Sequence, residues 1–201
     1  QCHHSEGSKW NGLIKQNTRV VIFDLPTLEE VGHGDIVETP QHIDKMLEIA
    51  YSKYDVRVFM FLFGTEQNYF SKSARQITDF VKKHPDMLVV IAAGNDGPVP
   101  YSIGEPATAY NIFSIGAAPA SIESFAFWKM DVMDGLHSHF SFSSIGPTFD
   151  GRIAPTFCSI GGPIGSAAAH TVNNVSMKMG TSQAAPVFTA CLIATRDYLL
   201  R

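Results

Sequence analysis

A chain of 201 residues has the length of one domain, or of part of a larger one. Hydrophobic residues make up 45% and charged residues 17%, enough apolar material for a sizeable core, which excludes a disordered chain. Fifteen Lys and Arg against 19 Asp and Glu leave a net charge of −4, which gives no electrostatic grip on nucleic acid or on an anionic membrane surface.

The first twelve residues, rich in Gly, Ser and His, read as a loop. Thr18 to Asp24 is a short apolar run with β-branched residues and predicts a buried strand. Residues 25–40 are turn-rich. From Pro40 to Tyr54 the apolar residues Ile43, Met46, Leu47, Ala50, Tyr51 and Tyr54 share one face of a helix. Arg57 to Leu62 predicts a second strand. Phe70, Ala74, Ile77, Phe80 and Val81 mark a second amphipathic helix. Met87 to Ala93 and Asn111 to Ala117 predict a third and a fourth strand. Residues 118–176 read as loop-rich, and Gln183 to Leu200 as a closing helix. Strands alternating with helices in this way imply an α/β fold with a mostly parallel sheet and crossover helices. In such sheets, chemistry gathers at the carboxyl ends of the strands. The longest apolar runs, such as Ala184 to Ala194, fall short of the ~18 residues of a spanning helix, so no transmembrane segment is expected. Residue 1 is Gln and no charged-then-apolar leader follows, so a processed product or a fragment is expected.

Three cysteines allow at most one disulfide and no metal-type pair. Cys191 lies in an apolar helical run and is expected to be a small core residue, while Cys2 and Cys158 could pair or stay free. His137 and His139 have no third ligand at metal spacing, so no zinc site is expected.

Two segments carry the chemistry. Gly180-Thr-Ser-Gln-Ala-Ala-Pro186 sits at a loop-to-helix junction. Ser182 there could be a plain N-cap, with Pro186 inside the tolerated first turn. Read alone, the cap explanation would win; the functional reading is a nucleophile held where helix-terminal N–H groups face an oxyanion. Leu88-Val-Val-Ile-Ala-Ala-Gly-Asn-Asp-Gly97 ends a strand with an Asn. Asn95 could serve a turn, or it could present an amide donor to developing negative charge. Two further segments are Ser102-Ile-Gly-Glu-Pro-Ala-Thr-Ala-Tyr-Asn-Ile-Phe-Ser-Ile-Gly116 and Phe142-Ser-Ser-Ile-Gly-Pro-Thr-Phe-Asp-Gly-Arg152.

In this order, the four segments resemble the subtilisin-like serine peptidases. That family carries Ala-Ala-Gly-Asn, then Gly-x-Pro-Ala, then Phe-Ser-Ser-x-Gly-Pro, then Gly-Thr-Ser-x-Ala-x-Pro. The resemblance implies a subtilisin-like three-layer fold, truncated at its N-terminus and covering the C-terminal two-thirds of a catalytic domain as a single partial domain, 1–201. It implies a serine endopeptidase acting on polypeptides, with Ser182 as nucleophile and Asn95 as oxyanion-hole side chain. Phe63 and Gly64 match the substrate-pairing segment. Ala92, Ala93 and Gly94 match one wall of the primary specificity pocket, and Gly104 its floor. Glu105-Pro106 matches a position where the family places a cis bond. The resemblance requires no cofactor, and no acidic loop here demands calcium. Family habit suggests secretory or endolysosomal placement.

The family's catalytic Asp and His precede the Ser, in Asp-Thr-Gly and His-Gly-Thr-His contexts that do not occur in residues 1–201. They are expected upstream. Asp24 and His33 mimic parts of those motifs but stand only nine residues apart, too close for the intervening strand and loops. His3 and His4 lack the Gly-Thr-His context. His84, His137, His139 and His170 read as surface residues. Leu62 and Ile145 stand where the family favours a small polar residue and Arg, and Thr156 and Ser159-Ile-Gly161 where it favours Asp and Ala-Pro-Gly. Two rival readings remain. One is a non-catalytic homologue that binds or scaffolds. The other is a nucleotide-binding domain using Gly94-Asn-Asp-Gly97, although those glycines fit neither phosphate-loop pattern.

Overall fold

The computed structural model describes residues 18–23, 27–29, 35–37, 40–122, 126, 139–168, 171, 174 and 175–200. Its centre is a four-stranded parallel sheet. The strands follow chain order: β3 (Val58–Phe61), β4 (Leu88–Ala92), β5 (Phe113–Pro119) and β6 (Phe157–Gly162). Two antiparallel pairs lie apart from it: β1 (Thr27–Glu29) with β2 (Asp35–Val37), and β7 (Ile164–Ala167) with β8 (Val175–Lys178). Three helices have described bounds: α1 (Ile43–Tyr54), α2 (Lys72–Lys83) and α3 (Thr181–Leu199).

The two-residue period of the strands divides the core into two. Phe59, Val89, Ile91 and Ala93 face one side, where Ile43 and Leu47 of α1 and Ile77 and Phe80 of α2 cover them. Val90, Ile115 and Ala117 face the other, where Ala184 and Ala185 of α3 and Phe140 pack. Helices thus cover both faces, giving the three-layer α/β arrangement expected from the sequence. Each large side chain buried completely, such as Ile77 or Ile91, contributes about 1.5–3 kcal/mol over its exposed form. The pairing Phe59↔Val89 and Phe61↔Ile91 puts the apolar residues of both strands on the same face.

Each helix has an identifiable start or stop. Ser71 caps α2 by accepting a hydrogen bond from the Ala74 N–H at 3.0 Å. Asp55, in the left-handed region at φ 57°, ends α1.

Five sequence expectations are corrected. Residues 18–23 form no strand; Val20 and Ile22 are exposed, Ile22 by 84%. An apolar β-branched run suits a pleated surface but does not supply a neighbour to pair with. Asp24 lies outside the described residues. The stretch 118–176 holds β6, β7 and the start of β8, and residues 25–40 hold the β1–β2 pair. Cys191 is exposed rather than core, and both it and Cys158 are free thiols; Cys2 lies outside the described residues. His84 is mostly buried, packed between Tyr51 and Phe80 with ring centroids 4.1 and 4.5 Å away. His3, His4, His33, His137 and His170 also lie outside the described residues, while His139 is exposed.

Candidate active site

The loops leaving β3 and β4 and the start of α3 meet at the carboxyl edge of the sheet, the place where α/β folds gather ligands. Leu62, Phe63 and Gly64 leave β3, and Ala93, Gly94 and Asn95 leave β4. Thr181 and Ser182 open α3. Together they line a cleft of about 610 Å³.

Ser182 does not cap its helix. The N-cap is Gly180, which offers no side chain, and Ser182 lies one residue inside the helix after Thr181. Its hydroxyl donates instead to the Leu62 carbonyl at 3.3 Å. As the second helical residue, it has a backbone N–H among those that a helix leaves without an internal acceptor. Pro186 lies beyond the first turn, inside the helix. Lacking an N–H, it cannot donate to the Ser182 carbonyl four residues back.

Asn95 is fixed by Thr181. The Thr181 backbone N–H donates to Asn95 Oδ1 at 3.0 Å and the Thr181 hydroxyl donates to the same oxygen at 3.1 Å. The amide oxygen is engaged twice, so the group left to donate elsewhere is Nδ2. The Thr181 hydroxyl also accepts from the Gly94 N–H at 3.3 Å. One buried threonine therefore ties the β4 loop to the start of α3.

The Phe142-Ser-Ser segment braces that loop from behind. Ser144 N–H donates to the Gly94 carbonyl at 3.0 Å, and Ser144 Oγ accepts from Asp96 N–H at 3.1 Å. Gly94 sits at φ +110°, and a Cβ there would lie 2.7 Å from Ser144 Oγ, so only glycine fits. On the far side, Thr65 N–H donates to the Glu105 carbonyl at 2.9 Å, and Glu105 N–H to the Gln67 carbonyl at 3.0 Å. A Cβ on Gly104 would overlap the Thr65 carbonyl oxygen, so a glycine is needed where the two chains touch. The Glu105–Pro106 bond is cis, as expected.

The cleft is acidic. Partial desolvation in the cleft pushes the exposed Asp96 carboxyl up from its ordinary pKa, and the nearby charge of Glu66 pushes the same way. Glu105 is buried, and its carboxylate accepts from Ser71 Oγ at 2.7 Å. Among the described residues, no group of His, Cys, Asp and Glu could hold a metal ion.

With this geometry in place, comparison with known proteins is informative. A family model described as the subtilase family, Peptidase_S8, matches residues 31–197. The chain belongs to the subtilase family. Pyrolysin of Pyrococcus furiosus is 30% identical over 113 residues, half of this chain but 8% of pyrolysin. Solved structures share the fold. The S218A mutant of the PatA protease domain aligns over 92% of this chain and 57% of its own, with a TM-score of 0.59 and 15% identity. The S41 psychrophilic protease aligns over 75% and 46%, with a TM-score of 0.55 and 21% identity. This subtilase thus spans about half the length of the solved structures it matches, and far less of pyrolysin.

Every site residue expected from the sequence, Ser182, Asn95, Phe63, Gly64, Ala92, Ala93, Gly94 and Gly104, lines this same cleft of the subtilase. Sequence reasoning did not single out Thr181, Glu66 or Asp96. Thr181 stood inside the Gly-Thr-Ser motif. Its bond partner, though, lies 86 positions away, a distance that only the fold closes. No sequence pattern marked Glu66.

Proposed function

We propose that this subtilase is the Ser-bearing part of a serine endopeptidase. Ser182 Oγ attacks the carbonyl carbon of a peptide bond. A His from outside residues 1–201 takes the hydroxyl proton, and an Asp from outside orients that His. The carbonyl oxygen becomes an oxyanion between Asn95 Nδ2–H and the Ser182 backbone N–H. Collapse expels the amine, which leaves with the proton the His holds, and water then releases the acyl group from Ser182. The substrate backbone pairs as an added strand along Phe63-Gly64, and the side chain before the scissile bond enters between Ala92-Ala93-Gly94 and Gly104.

The observation that carries this reading is the pair of bonds from Thr181 to Asn95 Oδ1. An asparagine serving only a turn would bond its own neighbouring backbone. Here its oxygen is taken by Thr181, the residue before Ser182, and Nδ2 is the amide's remaining donor. The half-buried Ser182 hydroxyl, which lines the cleft and caps nothing, points the same way. Family membership makes peptidase chemistry the natural assignment.

The test is cleavage of a denatured protein by the full-length protein and by its Ser182→Ala variant. Loss of at least about a thousandfold in kcat, with an unchanged melting temperature, is expected when a nucleophile is removed. Equal turnover by the two proteins would reject the assignment. A folded full-length protein without turnover would favour the rival, a subtilase that binds peptides without cutting them.

A further inference from the structure

We infer that the cleft beside Ser182 selects a cationic side chain, lysine or arginine, at the substrate position just before the scissile bond. The inference rests on the peptidase reading and names the substrate class of the same site.

Three carboxylates line the cleft: Glu66 on the loop leaving β3, Asp96 directly after Asn95, and Glu105 directly after Gly104. None of the other lining residues is Lys, Arg or His. The ion pairs formed among the described residues use other acids, Glu48, Asp55, Asp86 and Asp150. Negative charge is therefore held in a concave site to which the described lining residues bring no counter-charge. The three do not act equally. Glu105 is bonded to Ser71, which caps α2, so its charge is already met by a hydroxyl at a helix N-terminus. Glu66 and Asp96 are exposed to the cleft, and the charge of Glu66 disfavours ionisation of Asp96. A cation between them would relieve that repulsion and form charge-assisted hydrogen bonds.

The shape of the cleft favours an organic cation over an ion. Among the described residues the acids do not converge into a group able to hold a metal. The walls at Ala92, Ala93 and Gly94 are small and mostly apolar, suited to an aliphatic stem whose charged head lies among polar groups. A volume of about 610 Å³ leaves room for a lysine or arginine side chain.

The test is binding of benzamidine and of neutral benzamide to the full-length protein by titration calorimetry. Wild type, Glu66→Gln, Asp96→Asn and the double variant are compared, with melting temperatures recorded. Both substitutions are isosteric at exposed positions, so folding should be kept. Benzamidine should bind at least about tenfold more tightly than benzamide, the scale of one hydrogen bond to a charged group. Each substitution should cut that ratio, and the double variant should abolish it. A wild-type ratio near one, or a ratio that survives the double substitution, would overturn the inference. Binding breaks no bond, so the two readings fail separately. An absent preference in a protein that cleaves peptides would remove this inference alone. A clear preference in a protein that never cleaves would remove the peptidase reading, and with it the assignment of the cation to a substrate.

Discussion

Thr181 is completely buried and makes three hydrogen bonds that join two distant parts of the chain. If Asn95 stabilises the oxyanion, Thr181 is its positioning residue. Asn95→Ala in the full-length protein should lower kcat about 10²–10³-fold and leave KM nearly unchanged. That scale is borrowed from an oxyanion-hole deletion in a member of this family. A turn-only role would lower the melting temperature and spare kcat, so steady-state kinetics alongside thermal melting separates the two. Thr181→Val keeps the shape but removes the hydroxyl. It should cost about fivefold in kcat, the scale of one net hydrogen bond, and Thr181→Ser should restore most of it. A purely structural threonine would shift the melting temperature in both variants without that recovery of kcat. Ser182 and Asn95 were legible in the sequence because each sits in a short motif after a strand or before a helix. The Thr181 bond was not, because hydrogen-bond partners far apart in sequence leave no local pattern.

At the scale of elements, the loop after β4 is held by Phe142 and Ser144, and the loop that carries Gly104 by a latch around Asp150. Arg152 donates twice to Asp150, at 3.0 and 2.9 Å, and also reaches the carbonyls of Thr108 and Ala109. Tyr110 and Thr148 hydroxyls add bonds of 2.6 Å to the same carboxylate. Partial burial pushes the Asp150 pKa up, but the bonds from Arg152, Thr148 and Tyr110 outweigh it and hold the carboxyl well below the usual range. A folded-state pKa below the unfolded one stabilises at pH above the unfolded value, about 3.9, and the benefit fades as pH falls. Asp150→Asn should therefore melt lower than wild type at pH 6 and close that gap towards pH 2. Thermal melts across that range check it; a gap that stays constant with pH would deny the latch its charge. The elements were legible where burial was continuous. β3, β4 and β5 read as apolar runs, and α1 and α2 as helical stripes. β6, β7 and β8 are short, rich in Gly and Ser, and half-exposed, so neither alternation nor an apolar run marked them. The run at 18–23 failed in the opposite way, since its composition suits a strand but no described strand pairs with it.

At the scale of the whole molecule, the subtilase fold brings segments from residues 62 to 182 into one cleft, and the family and fold were readable from four motifs in order. In the proposed reading the residues here supply a nucleophile and an oxyanion site, yet none of the described residues lining the cleft is a His. A serine hydroxyl without a base is a weak nucleophile at neutral pH. Residues 1–201 alone should therefore show negligible reaction with a fluorophosphonate probe. The full-length protein gives the decisive comparison. Labelling it with a fluorophosphonate and mapping the adduct by peptide mass spectrometry tests the central claim, that Ser182 is an activated nucleophile. The account predicts rapid labelling at Ser182 alone, lost in Ser182→Ala. A folded full-length protein that stays unlabelled, or that carries the label on another residue, would contradict it.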